Sequence, residues 1–239
     1  MLRIDELAQN RFPILTARKM FYRPVFGELA AFLHGAVDLR TFRDFGCNYW
    51  DANAANWAGN SHLNEDEWQV GQIYGAQWRN WLGGGHDQIE ALVKSLIRDP
   101  NSRRHLLTTY DPTEDQACLP PCHLLAQFNI SRGRLSCCVY MRSVDLCLGL
   151  PSDVLLYAAL LVLLANETDY LPGSLTFMLG DTHIYENHVA TWLDKQTTAL
   201  SHELPTYRLE PTTLDTFSPD RLVLNNYQSG ERIAYKFNV

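Results

Sequence analysis

The chain has 239 residues, of which 46% are hydrophobic and 20% charged, and this is enough to bury one substantial core. Its formal net charge of -7 argues against an extended nucleic-acid surface, because phosphate backbones are bound by clustered Lys and Arg. Six cysteines without CxxC spacing and without the framework of a small secreted domain predict reduced thiols in a cytoplasm.

The N-terminal half alternates short strand-like and helical stretches. The first twelve residues have scattered charges and no apolar run, which predicts that there is no signal peptide; a strand is expected to end at residues 11–13. A helical period over residues 26–33 carries one acid, Glu28, among apolar residues. Residues 48–57 are rich in aromatics and typical of a core or a pocket wall. A glycine-rich turn at 83–85 leads to a helix over 87–98.

The C-terminal half predicts a sheet interrupted by one apolar helix. A short strand after Cys122, a turn at 131–133 and a strand at 135–141 precede a helix started by Ser152 or Asp153. Its apolar run, 154–165, has only twelve residues and is too short to span a bilayer. A strand at 171–179, a helix at 188–197 and strand-like pieces in 208–239 follow. The fold class is therefore α+β, a mixed sheet with packed helices.

Residues 119–153 concentrate chemically active side chains. Cys122 stands beside His123, and Arg142, Ser143 and Asp145 follow a strand, where side chains can be held rigidly at a pocket. A thiol, an arginine and carboxylates in one segment indicate covalent catalysis on an anionic substrate. From spacing alone, Cys122 can equally be a small buried residue. Four other cysteines are equally plausible nucleophiles: Cys118, Cys137, Cys138 and Cys147.

Six sequence motifs occur in the same order as in a known enzyme family. They are FGELAAFLHG (26–35), GQIYGAQWRNW (71–81), DPNSRRH (99–105), LPPCH (119–123), QFNISRGRLSCCVYMRSVDLCLGLPSD (127–153) and GDTHIYENH (180–188). Together they resemble the thymidylate synthase superfamily, which includes the pyrimidine nucleotide hydroxymethylases. The resemblance implies a single catalytic domain over 1–239, a cytoplasmic homodimer, and 5,10-methylenetetrahydrofolate as co-substrate, with no metal, membrane or nucleic-acid partner.

The resemblance assigns a role to each matching residue. The catalytic set is Cys122 as nucleophile, Glu28 for proton transfer, Tyr74, His123 and Asp153. The nucleotide set is Arg142, Ser143, Asp153, His183 and Tyr185, with Arg103 and Arg104 reaching the phosphate of the neighbouring subunit. The folate set is Tyr49, Trp50, Leu119, Asp145 and Gly149.

Without the resemblance, several of these residues have simpler explanations. Glu28 can be at the solvent edge of its helix. Adjacent arginines are ordinarily a surface pair, and His183 and Tyr185, expected on one strand face, can be structural. The family's N-terminal phosphate loop, Arg-Thr-Gly, is not in the sequence, so we expect one phosphate-binding arginine fewer.

Asp153 stands where synthases acting on deoxyuridylate carry an asparagine. A protonated carboxyl can donate to cytosine N3 and accept from its amino group, and burial favours that protonated form. Equivalently, the proton can be on cytosine N3 and pair with a carboxylate. A carboxylate facing uracil O4 sets acceptor against acceptor. The residue therefore favours cytosine, although an N-cap aspartate is the alternative.

The implied reaction adds Cys122 to C6 and a one-carbon unit to C5. Met141 in MRS and Ser152 favour water capture and a hydroxymethyl product, whereas the retained Trp50 and Leu119 favour a methyl product. We therefore expect a (deoxy)cytidylate hydroxymethyltransferase, with dCMP favoured over CMP. The alternatives are a cytidylate methyltransferase, a thymidylate synthase acting on dUMP, and an inactive homologue with a binding or regulatory role.

Overall fold

A computed structural model describes residues 1–113 and 117–237. Its main sheet has five strands: β1 (Leu2–Ile4), β2 (Leu106–Thr108), β3 (His123–Ser131), β4 (Arg134–Asp145) and β5 (Leu171–His183). The strand order is β1-β5-β4-β3-β2. β4 and β5 pair in parallel, and the other neighbours pair antiparallel. A separate antiparallel pair joins β6 (Thr206–Leu209) to β7 (Leu222–Asn225). The predicted α+β class with a mixed sheet is confirmed.

Most of the described helices lie in the N-terminal half of the chain, while one connects β4 to β5 and one follows β5. They are α1 (Tyr22–Leu33), α2 (Leu39–Asp44), α3 (Asp51–Asn56), α4 (Tyr74–Arg79), α5 (Gln88–Arg98), α6 (Gly149–Glu167) and α7 (Glu186–Thr191). Three 3-10 turns, Glu6–Gln9, Ala58–Asn60 and Glu65–Glu67, and a π-helical turn, Trp192–Gln196, complete the list.

Several predicted elements are confirmed because their signals are local. The helix at 26–33 is the C-terminal part of α1. The helix at 87–98 is α5, whose N-cap, Asp87, accepts a hydrogen bond from the Glu90 amide. The turn between β3 and β4 has positive φ at both Arg132 and Gly133, the geometry of a two-residue hairpin that follows the twist of its strands.

Other predicted boundaries are wrong. The N-terminal strand ends at Ile4, and Arg11 makes only an isolated bridge to Thr206. Residues 232–237 form no strand. Helix α6 begins at Gly149, with Leu148 as its N-cap, so neither Ser152 nor Asp153 starts it. The turn sequence GLP is itself the first helical turn, where proline is tolerated because its missing N–H has no intrahelical partner.

Helix α6 lies between α1 and the sheet. Its residues from Leu155 to Ala165 are all buried, and they join α1 and the inner side of β3, β4 and β5 in one apolar cluster. At 19 residues it is longer than the predicted run, and in the described part of the chain it is the one helix whose length and composition would allow it to cross a membrane. Its burial among protein side chains is that of a core helix.

Candidate active site

Cys122 lies immediately before β3 and is fixed through its backbone. Its amide donates a 2.8 Å hydrogen bond to the Tyr74 hydroxyl on α4, and its carbonyl accepts one of 2.8 Å from the Arg142 amide on β4. The side chain is half-buried. Two elements far apart in sequence, α4 and β4, therefore fix the backbone that carries the thiol.

The Arg142 guanidinium is locked beside this thiol. Its Nε donates to the Pro121 carbonyl at 2.8 Å and its Nη2 to the Pro120 carbonyl at 2.9 Å, while Nη2 lies 3.9 Å from Cys122 Sγ. The Arg142 charge acts to lower the pKa of the Cys122 thiol. Burial raises the pKa of Cys122 and outweighs the opposing effect of Arg142, and Asp153 raises it further. Arg142 reduces the cost of the thiolate without removing it.

The other cysteines have different surroundings. Cys137 faces the core and is fully buried. Burial raises the pKa of Cys118 to about 12 and that of Cys147 to about 11. The combination of partial exposure, a backbone held at both polar groups and an adjacent guanidinium favours Cys122 as the reactive thiol.

A β-bulge sets the orientation of His123. The register steps from His123 opposite Met141 to Leu125 opposite Tyr140, so Leu124 is an extra residue on β3. The bulge brings His123 to the same buried side as Ala126 and Phe128. There its ring stacks on Tyr74, with centroids 4.0 Å apart. Its Nδ1 lies 2.9 Å from the Tyr157 hydroxyl, and its Nε2 lies 3.4 Å from Asp153 Oδ1.

Asp153 is therefore an inward-facing residue and not a helix cap. It lies in the second turn of α6 with its carboxyl against His123. Its charge also acts on Cys122, Tyr74 and Glu28, raising the pKa of each. The aspartate and the thiol thus share one electrostatic environment.

Glu28 also faces this site, so the interpretation as a solvent-edge glutamate is wrong. Its Oε1 accepts a 2.8 Å hydrogen bond from the indole Nε1 of the buried Trp50. Burial raises the pKa of Glu28 to about 8; the Trp50 hydrogen bond opposes the shift and Asp153 adds to it. Near neutral pH the carboxyl keeps its proton and can act as a proton donor.

Three residues of the predicted nucleotide set, Ser143, His183 and Tyr185, lie at or just beyond the C-terminal ends of β4 and β5. Ser143 pairs with Asp181, and Asp145 pairs with His183. Tyr185 is not on the same strand face as predicted, because β5 ends at His183 and Tyr185 is the N-cap of α7. The two rings nevertheless touch edge to face, with centroids 5.0 Å apart.

Two of the predicted folate contacts, Asp145 and Gly149, lie at the end of β4 and the start of α6. Asp145 Oδ1 accepts a hydrogen bond from the Cys147 amide at 2.8 Å. Gly149 lies between two carboxylates, since a Cβ there would be 3.6 Å from the Asp145 Cβ and 3.8 Å from Asp153 Oδ2. Tyr49 is 39% exposed and donates to the Phe21 carbonyl at 3.3 Å, and Leu119 is 37% exposed.

The two arginines predicted to bind phosphate are outside these contacts. Arg103 and Arg104 are exposed on the loop between α5 and β2. None of the contacts described around Cys122 involves either side chain. Both guanidinium groups are therefore accessible to a neighbouring subunit.

Sequence reasoning missed the C-terminal segment that covers Arg18. Arg18 is buried, donates to the Cys147 and Ile233 carbonyls, and lies with its guanidinium 5.0 Å from the Tyr235 ring centre. His188 contacts the same ring and has Nε2 2.6 Å from the Lys236 carbonyl. The apolar alternation of the tail predicted strands, whereas these side-chain contacts determine its path.

One set of side chains has metal-binding chemistry that the sequence did not predict. Donor atoms of Asp145, Cys147 and His188 lie within 4.8 Å of one another. The Arg18 guanidinium interacts electrostatically with both Asp145 and Cys147. A cation would have to bind beside this positive charge, so the set does not favour a metal centre.

Comparison with known proteins gives a consistent result along the whole chain. A family model described as thymidylate synthase matches residues 1–239. The chain is 32% identical over 249 residues to a bifunctional dihydrofolate reductase-thymidylate synthase of Zea mays, covering 97% of this chain and 47% of that protein. It is 33% identical over 247 residues to the protein of the same description from Glycine max, covering 97% and 46%. The chain spans about half the length of these curated relatives.

Proposed function

Since the chain belongs to the thymidylate synthase family, we propose that it transfers a one-carbon unit from 5,10-methylenetetrahydrofolate to C5 of a cytidine monophosphate, with dCMP the favoured substrate. Members of this family use that folate as co-substrate and work as dimers. The proposed product is 5-hydroxymethyl-dCMP. The proposal takes residues 1–239 as one catalytic domain of a cytoplasmic homodimer, and the six free cysteines fit a reducing compartment.

The observation that carries the choice of base is the inward-facing carboxyl of Asp153 beside His123 and Cys122. A cytosine ring offers an acceptor at N3 and donors at its amino group, which a protonated carboxyl matches with one donor and one acceptor. With uracil, O4 would face a carboxyl oxygen without a proton between them. An unpaired buried acceptor of this kind costs about 1–3 kcal/mol, which supports cytosine over uracil.

In the proposed mechanism, several residues act in turn on the pyrimidine ring of the substrate. The Cys122 sulfur adds to C6, which makes C5 nucleophilic, and C5 then bonds to the methylene carbon as the bond from that carbon to one of its two folate nitrogens breaks. Loss of the C5 proton then breaks the bond to the second folate nitrogen, so that tetrahydrofolate leaves and an exocyclic methylene remains. Water adds to it, and expulsion of Cys122 releases the product. The protonated Glu28 is placed to exchange protons with the folate or the base.

The residues around the site are proposed to hold the two substrates. Arg142 and Ser143 bind nucleotide together with His183 and Tyr185, and Arg103 and Arg104 of one subunit bind the phosphate in the other. Planar guanidinium groups suit a phosphate dianion. The folate contacts are Tyr49, Trp50, Leu119, Asp145 and Gly149.

Two residues bear on the last step of the reaction. Ser152 is small and bonds its hydroxyl back to the Leu148 carbonyl at 3.1 Å, which leaves room for water and favours the hydroxymethyl product. Trp50, which is buried against Glu28, favours exclusion of water and therefore methylation. Methyl transfer to the same cytidylate is the second candidate, and thymidylate synthesis from dUMP, the activity named for the plant relatives, is the third.

Product analysis separates these candidates. The protein is incubated with methylenetetrahydrofolate and dCMP, CMP or dUMP, and the nucleotide is examined by mass spectrometry. A gain of CH2O on dCMP supports the proposal, whereas a gain of CH2 with oxidation of the folate indicates methylation. Absence of turnover with bound nucleotide indicates a regulatory homologue.

A substitution tests the base assignment directly. Asp153→Asn should move the preference from dCMP toward dUMP, since a carboxamide matches the uracil edge. The matched control is Asp169→Asn, an exposed aspartate just beyond the other end of α6. Unchanged cytosine preference in Asp153→Asn contradicts the proposal.

A further inference from the structure

A second layer of polar groups lies behind Asp153. Tyr157 follows it by one turn on α6, so both side chains are on the same helix face. The Tyr157 hydroxyl lies 2.9 Å from His123 Nδ1, and His123 Nε2 lies 3.4 Å from Asp153 Oδ1. Tyr157 is 1% exposed and His123 4% exposed. The three groups form a row that runs from the core to the site.

The surroundings of Tyr157 determine the direction of its hydrogen bond. Its ring packs edge to face on Trp78 and Phe177, and burial raises its pKa well above the ordinary value, so the hydroxyl keeps its proton. Across residues 1–113 and 117–237, His123 Nδ1 is the hydrogen-bond partner of that hydroxyl. A buried O–H without an acceptor is costly, so the hydroxyl donates and Nδ1 accepts.

Because Nδ1 accepts a hydrogen bond, the protonation of the other ring nitrogen, Nε2, is determined. A neutral imidazole carries one proton, which must then be on Nε2, facing Asp153 Oδ1. Oδ1 lies 3.4 Å from that nitrogen, so a proton on Nε2 disfavours a second proton on Oδ1 and favours Oδ2 as the protonated oxygen of this carboxyl. That arrangement presents Oδ2–H to cytosine N3 and Oδ1 to the cytosine amino group. Uracil O4 would meet Oδ1, two acceptors together.

We propose that Tyr157 and His123 are positioning residues for base selection: Tyr157 holds His123 as the Nε2–H tautomer, and this N–H, 3.4 Å from Asp153 Oδ1, disfavours a proton on that oxygen. This inference rests on the proposed use of a cytidylate. It assigns selectivity to a residue, Tyr157, that is too deeply buried to touch the base.

The tautomer is measured on the free protein, independently of activity. Nitrogen-15 chemical shifts of labelled His123 distinguish a protonated from an unprotonated ring nitrogen. The wild-type protein should show an unprotonated Nδ1 and a protonated Nε2, and Tyr157→Phe should add signal from the Nδ1–H form. A protonated Nδ1 in the wild type, whether neutral or cationic, overturns the inference even if dCMP is the substrate.

Selectivity is measured by the ratio of kcat/KM for dCMP to that for dUMP. Loss of one hydrogen bond predicts a fall of about tenfold in Tyr157→Phe, expressed mainly in KM because the reacting groups stay in place. Tyr207→Phe is the matched control, since Tyr207 packs on Phe12 and its loss should leave the ratio unchanged. An unchanged ratio in Tyr157→Phe overturns the inference. A wild-type preference for dUMP refutes the proposed function instead, and the nitrogen-15 shifts still decide the tautomer.

Discussion

The half-buried Glu28 carboxyl leads to a specific prediction about the pH dependence of stability. Its pKa is raised from 4.5 to about 8 by burial, so between these values the unfolded chain has released a proton that the folded protein keeps. Stability from this group is therefore fully present below pH 4.5 and is lost as the pH rises toward 8. Between the two pKa values the free energy of unfolding falls by about 1.4 kcal/mol per pH unit. The expected loss between pH 5.5 and 7.5 is on the order of 2–3 kcal/mol.

Glu28→Gln isolates this effect, because glutamine cannot ionise and its amide oxygen can still accept from Trp50. Urea unfolding of both proteins at one concentration, followed by circular dichroism, gives the free energy of unfolding at each pH. Between pH 5.5 and 7.5, the free energy of unfolding of the variant should rise relative to that of the wild type by on the order of 2–3 kcal/mol. Glu90→Gln, on the exposed ion pair with Lys94, is the control for loss of a surface carboxylate. Parallel pH dependences for Glu28→Gln and wild type would refute the assignment of a buried, protonated Glu28.

Three further predictions concern the proposed chemistry. Cys122→Ser should abolish turnover while nucleotide binding persists by calorimetry, and substantial residual activity would remove Cys122 as the nucleophile. Arg142→Gln should move the pH profile of Cys122 alkylation upward, because burial then acts on the thiol pKa without an opposing cation; an unmoved profile contradicts that role. Mixing an Arg103→Ala/Arg104→Ala protein with Cys122→Ser should restore activity in hybrid dimers if the arginines serve the partner's site, and no recovery would place them elsewhere.

The limits of sequence reasoning appear at particular residues. The six motifs predicted the family and assigned Tyr74 and Cys122 to one catalytic set, and in the structure the Cys122 amide donates a hydrogen bond to the Tyr74 hydroxyl. They did not predict the extra residue at Leu124, because a bulge depends on the partner strand and has no local signal. The early start of α6 was missed because glycine and proline suggested a turn. The four-residue spacing of Asp153 and Tyr157 could have predicted that their side chains lie on the same face of α6, since residues four apart share a helix face.

The amino-acid sequence by itself determined the elements whose signals are local: the periodicity of α1, the Asp87 cap of α5, the positive-φ turn at Gly133 and the ordered motifs of the family. Only the tertiary structure decided that Glu28 and Asp153 face inward, that His123 lies on the buried side of β3, and that the net effect on the Cys122 pKa is upward. These properties depend on desolvation and on charges brought together from distant parts of the chain. No single segment of the sequence contains either kind of information.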